Sequence, residues 1–145
     1  MTCIQDFIAE ARTWEGTPFH HQGRKKGIGA DCAGYLTSVV ATLNVSTDSV
    51  PFNYAPRPDG KTLIEFLESS HLVTRCNENE LPFEGAIGVF WINRSNKPQH
   101  FALFLNGKNG LNIIHATNVD GVKEVPFDQR WQKRLNSIWR LTFAE

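Results

Sequence analysis

The feature that most constrains this chain is the change of texture at Pro82. Before it, apolar residues recur at helical spacing; after it, they come in short continuous runs separated by turn signals. Ile4, Phe7, Ile8 and Ala11 follow i, i+3, i+4, i+7, which predicts a helix over about residues 3–13. Gly16-Thr17-Pro18 ends it. A long loop then runs from Phe19 to Ala30, and a second helix from Cys32 to about Leu43. Residues 46–60, with Pro51, Pro56, Pro58 and Gly60, read as loop, and Lys61 to Ser70 as a third helix. Beyond Pro82 the run Ile87–Ile92 reads as a buried strand. Phe101–Leu105 and Leu111–Ile114 flank Asn106-Gly107-Lys108-Asn109-Gly110, a hairpin signal, and residues 137–143 make a last strand. Helices first and strands later imply an α+β domain with an antiparallel sheet.

At 145 residues and 41% hydrophobic, the chain is long enough for one domain with its own core, read here as residues 1–145. The formal charge is zero, so no nucleic-acid footprint is expected. The first residues lack the basic and apolar regions of a signal peptide, and no run approaches the roughly 20 apolar residues of a membrane span. Neither membrane insertion nor a cofactor is expected. Three scattered cysteines give no disulfide framework, and no C-x-x-C pair points to a metal.

Cys32 is the leading chemical candidate. Gly29-Ala30-Asp31-Cys32 approaches the second helix, with Asp31 a good N-cap residue and Cys32 the first helical one. Unpaired N–H groups and the positive end of the helix dipole would then lower the thiol pKa. A thiol nucleophile needs a base and a group that orients the base. If Gly107-Lys108 forms the hairpin turn, Leu105 faces Gly110 and His100 faces His115; a two-residue slip keeps the histidines on one face, a one-residue slip separates them. His100 then serves as base and His115 as orienter, with the Cys32 backbone N–H available to an oxyanion. The plain alternatives are a buried core cysteine and two solvated histidines at strand ends.

The other residues carry less. His20-His21 and His71 read as surface histidines, Phe90-Trp91 as core, and Cys3 and Cys76 as structural. Arg24-Lys25-Lys26 reads either as an attractor of substrate carboxylates or as solvated loop.

With these residues in hand, the chain resembles the NlpC-type cell-wall peptidases, papain-like cysteine hydrolases of bacterial peptidoglycan. Trp14–Phe19 looks like that family's glycine-x-proline-tyrosine segment, and Asp31-Cys32-Ala33-Gly34 like its Asp-Cys-Ser-Gly motif. Phe83–Phe90 stands where the family has its proline-glycine-aspartate strand opening. His100–Leu105 is similar to the base-bearing strand, and Ile114-His115-Ala116 to the strand of the third residue. The resemblance implies a nucleophile helix packed on a C-terminal antiparallel sheet. It implies Cys32 as nucleophile, His100 as base, His115 as third member, and peptidoglycan stem peptides as substrate. It places Asp31, Phe19 and Ala33 at the substrate, with Ala33 and Phe19 standing where the family has serine and tyrosine. The Phe19–Arg24 run looks most like members encoded in phage-tail and gene-transfer-agent modules. That implies tail-tip proteins as partners, synthesis in the cytoplasm and action at the cell wall. A non-catalytic tail protein of the same fold, and an amidase toxin or acyltransferase using Cys-His chemistry, are the alternatives.

Overall fold

The structure, a computed structural model, describes residues 4–41, 67–68, 73–91 and 98–141. Helix α1 spans Ile4–Thr13 and buries Phe7, Ile8 and Ala11, the stripe its spacing predicts. Helix α2 spans Cys32–Ala41. Tyr35 ties the two together, its hydroxyl donating to the carbonyl of Ala11 at 2.9 Å. Of the third predicted helix, Leu67 and Glu68 are described; they are helical, and Leu67 is buried. The remainder of that helix, the 46–60 loop, His71 and Cys3 lie outside the described residues.

Among the described residues, eight strands form two sheets. β1 (Arg24–Lys25) and β2 (Gly29–Ala30) make a small hairpin inside the segment expected to be loop. β3 (Val73–Arg75), β4 (Ile87–Trp91), β5 (Pro98–Gly107), β6 (Gly110–Thr117), β7 (Gly121–Pro126) and β8 (Leu135–Leu141) form an antiparallel sheet in the order β3-β8-β4-β5-β6-β7. A short helix, α3 (Gln129–Gln132), joins β7 to β8. The α+β arrangement with an antiparallel sheet, expected from the order of elements, is what the chain adopts.

The central hairpin differs from expectation in its turn. Gly107 pairs with Gly110 and Leu105 with Asn112, so Lys108-Asn109 is the turn and the register has slipped by two residues. The left-handed backbone falls on Gly110, at φ +124°, rather than on Gly107. Glycine tolerates that conformation without a side-chain clash, so it decides where the chain reverses. An even slip leaves every side chain on its expected face.

Strand alternation divides the core in two. Val89, Phe101, Leu103, Ile114 and Trp139 pack against α1 and α2. Phe90, Ala102, Phe104, Ile113 and Ile138 form a second buried cluster on the other face, closed by Trp131 of α3. No sequence signal had suggested this second layer.

Candidate active site

Asp31 builds the start of α2. One carboxylate oxygen accepts from the Gly34 N–H at 2.8 Å, the N-cap bond expected of it; the other accepts from the Gln22 N–H at 2.7 Å. His21 Nδ1 lies 3.7 Å from the same carboxylate. Gly34 is needed because any β-carbon there would run into the carbonyl of Gly23, so the loop lies directly on the first turn of α2. Cys32 therefore sits at a helix start pinned from both sides.

The Cys32 thiol lies against β5, in hydrogen-bond range of the Phe101 backbone. Burial pushes its pKa up to about 12, and the Asp31 charge adds to this; the backbone groups of Phe101, Ala33 and Cys32 pull the other way without overcoming it. The lowering expected from the helix N-terminus is thus reversed. Cys32 is only partly buried, but the dipole contributes less than desolvation where a carboxylate also stands beside the sulfur.

His100 and His115 are brought together. Nε2 of His100 and Nδ1 of His115 share a hydrogen bond of 2.8 Å. Both residues are buried, at 5% and 3% exposure. The two-residue slip makes them diagonal rather than directly opposed, within reach for two rings on one face. Burial lowers the His100 pKa well below the usual imidazole value, and the neighbouring His115 lowers it further. Burial takes His115 down to about 4, Asp120 raising it and Arg130 lowering it as smaller effects. Both rings are neutral at pH 7. One nitrogen of each is committed to the shared bond, which leaves Nδ1 as the second ring nitrogen of His100.

The thiol and the histidine pair are placed by adjacent residues of β5, on its two faces. The sulfur contacts Phe101, whose side chain faces α2, and His100 precedes it in the strand. His100 shares the face of Ala102 and Phe104, and Phe90 stands 6.5 Å from its ring. Trp131 contacts both histidines: its ring lies 4.9 Å from His115, nearly perpendicular, and 6.0 Å from His100. Sequence reasoning missed Trp131. A tryptophan in the otherwise polar stretch Asp128–Arg134, three residues after an N-cap aspartate, was the available signal.

No protein-family model matches the chain, and no curated protein does. Solved structures do. One is a lipoprotein-like NLP/P60 family protein from Staphylococcus aureus subsp. aureus Mu50, 18% identical over 97% of this chain and 42% of that one, with a TM-score of 0.62. Another is an NlpC/P60 family protein from Bacillus cereus ATCC 10987, 16% identical over 94% of this chain and 39% of that one, TM-score 0.66. The NlpC/P60 domain of the peptidoglycan hydrolase SagA is 20% identical over 98% of this chain and all of that one, TM-score 0.57.

The chain has the NlpC/P60 fold. It spans about two fifths of the first two of these neighbours and the whole of the third.

Within this NlpC/P60 fold, the lesser candidates take plainer places. Ala33 is buried in the α2-side core, and Phe19 is 37% exposed, bridged to Ala30. His20 Nδ1 contacts the His21 carbonyl, and the β-carbon of His20 lies close over Gly29. Arg24 and Lys25 form β1, while Lys26 pairs with Glu10 at 2.8 Å. Cys76 is half-buried beside the second cluster, its pKa raised by burial and by Glu80. Among the described residues, no group of three or more His, Cys, Asp or Glu side chains is placed to hold a metal, and no helix is long and apolar enough to cross a membrane.

Proposed function

We propose that the protein is a cysteine hydrolase that cleaves amide bonds in peptidoglycan stem peptides. The observation that carries this is the 2.8 Å bond from His100 Nε2 to His115 Nδ1, with Nδ1 of His100 left for a proton at the strand position next to the thiol's Phe101 contact. In this reading Cys32 Sγ attacks the carbonyl carbon of the amide while its proton passes to His100 Nδ1. The imidazolium so formed donates through Nε2–H to neutral His115, which stabilises it. His100 then protonates the leaving amine, and water, deprotonated by His100, releases the acyl group from sulfur. The Cys32 backbone N–H serves as an oxyanion donor in this reading.

The opposing pKa shifts do not forbid this. Each is the cost of charging one group beside a neutral partner. Moving the proton from thiol to imidazole charges both at once, and their attraction in a poorly solvated site offsets much of both costs.

A second reading, a non-catalytic protein that retains the fold, draws on the same facts: a neutral thiol, and histidines on the strand face opposite the side chain of Phe101. Incubation with purified peptidoglycan and mass spectrometry of the released fragments separates the two. New amine termini, absent with Cys32→Ala, are expected for the hydrolase; their absence with folded wild-type protein would leave the second reading. Delivery to the cell wall within a phage-like tail, through tail-tip partners, is the outermost part of the proposal, and co-purification with tail particles tests it.

A further inference from the structure

Trp131 stands over the histidine pair without contributing a polar contact to it. Its ring is 4.9 Å from that of His115 at 79° and 6.0 Å from that of His100 at 32°. Phe90 closes another side, 5.6 Å from Trp131. Trp131 is only 7% exposed, yet its indole N–H has no hydrogen-bond partner. A buried donor left unpaired is destabilising. An ordinary core position would favour phenylalanine on that ground, so the ring's placement, not its polar atom, needs explaining. The segment carrying it is set with care: Asp128 caps α3 by accepting from the Trp131 backbone N–H, and the guanidinium groups of Arg130 and Arg134 lie 5.7 and 5.6 Å from the indole.

We infer that Trp131 is a positioning residue for the histidine pair: its indole excludes water from the His100–His115 bond and so holds both rings neutral and in one mutual orientation. A neutral pair with a single shared proton is what a base needs if its other nitrogen is to receive one. Among the described residues, two charged groups act on His115. Asp120 comes from the β6–β7 turn and Arg130 from α3, with opposite effects, and His100 itself comes from β5. Asp128 is engaged by the cap, and Arg134 lies against the indole. Water exclusion therefore outweighs local charge at this pair, and Trp131 is the removable part of the cover.

Ring-proton NMR titration of the histidines tests this without relying on activity. In wild type, His115 is expected to titrate near 4. In Trp131→Ala, water reaches the pair, and that midpoint is expected to rise by about one pH unit or more toward the ordinary imidazole value. Trp131→Phe, which keeps an aromatic cover, is expected to stay within a few tenths of a unit of wild type. Arg130→Gln is expected to move it by less than Trp131→Ala does. A folded Trp131→Ala protein with an unmoved midpoint would overturn the inference. So would Trp131→Phe matching Trp131→Ala, or Arg130→Gln exceeding it. If Trp131→Ala loses its spectral dispersion, Trp131→Leu is read the same way: an upward shift supports the cover, and no shift overturns it. The benefit to catalysis rests on the proposed role of His100. The titration does not, so inactive wild-type protein with a shifted Trp131→Ala midpoint would remove the hydrolase reading and keep this one.

Discussion

The histidine pair makes opposite demands on stability and on chemistry, and both can be measured at single residues. Folding holds His115 neutral down to about 4, against 6.5 for a free imidazole. Between those values the unfolded chain binds the proton and the folded one does not, so stability is fully present above about 6.5 and falls as pH drops through the window. His115→Gln, which cannot charge, is expected to lose less stability between pH 7.5 and pH 4.5 than wild type does, as read by urea unfolding at the two pH values. The chemical side is graded. Cys32→Ala is expected to abolish hydrolysis and His100→Ala to cost nearly as much, because nucleophile and base act as a unit. His115→Ala is expected to cost less, about 10²–10⁴-fold in kcat, with part restored by His115→Asn or His115→Gln as uncharged partners for Nε2. A loss in His115→Ala as deep as that in Cys32→Ala would give His115 more than an orienting role. The pairing of these two histidines was legible in the sequence because strand parity survives any even register error. The direction of the thiol's pKa was not, because a capped helix start says nothing about how much water reaches the sulfur.

Elements reveal where local signals were sufficient. The N-cap at Asp31 was readable from residue type alone, and the structure adds a second load: the same carboxylate holds the Gln22 N–H, and Gln22 itself sits at φ +63°, a conformation few non-glycine residues adopt. Asp31→Ala is expected to destabilise the fold by about 1–2 kcal/mol, near the upper end for a cap because two backbone donors lose their acceptor together. Asp31→Asn, which keeps one acceptor oxygen, is expected to cost less, and chemical denaturation of both variants measures it. Equal costs would mean that the charge, not the acceptor geometry, holds the loop. The hairpin shows the converse. Two glycines and two asparagines crowd its tip, so a turn was certain but its position was not; the positive φ of Gly110 settled it. The β1–β2 pair escaped notice because two-residue strands carry no periodicity, and α3 because four residues carry hardly more than one turn of it.

On the scale of the whole molecule, the sheet is covered on both faces, and each face holds a different one of the candidate groups. The α2 side brings the thiol to the backbone of β5; the α3 side encloses the imidazoles against Phe90 and Trp131. The first layer was legible because helix spacing marks the faces of α1 and α2. The second was not, since its residues come from half-buried loop and strand positions such as Phe83, Phe127 and Leu135, whose grouping exists only after the strands pair in non-sequential order. Placing the groups against separate layers has a consequence for pH dependence. Burial moves the thiol up to about 12 and both imidazoles down, so neither changes charge near neutrality. A thiolate–imidazolium pair formed at rest would give an activity profile bounded by a lowered thiol value on the acid side and the imidazolium on the alkaline side. A neutral pair gives another: kcat/KM on a soluble stem-peptide substrate is expected to stay level from pH 8 down to about pH 6. It then falls only as the histidine pair takes up a proton, below the ordinary imidazole range. Alkylation of Cys32 by iodoacetamide, followed by peptide mass spectrometry, is expected to accelerate steadily with pH up to pH 9 without reaching a plateau, since the thiolate fraction keeps growing toward its high pKa. A plateau in Cys32 labelling below pH 7, together with a kcat/KM limb at the same pH, would show the ion pair to be the resting state and this account of the site to be wrong.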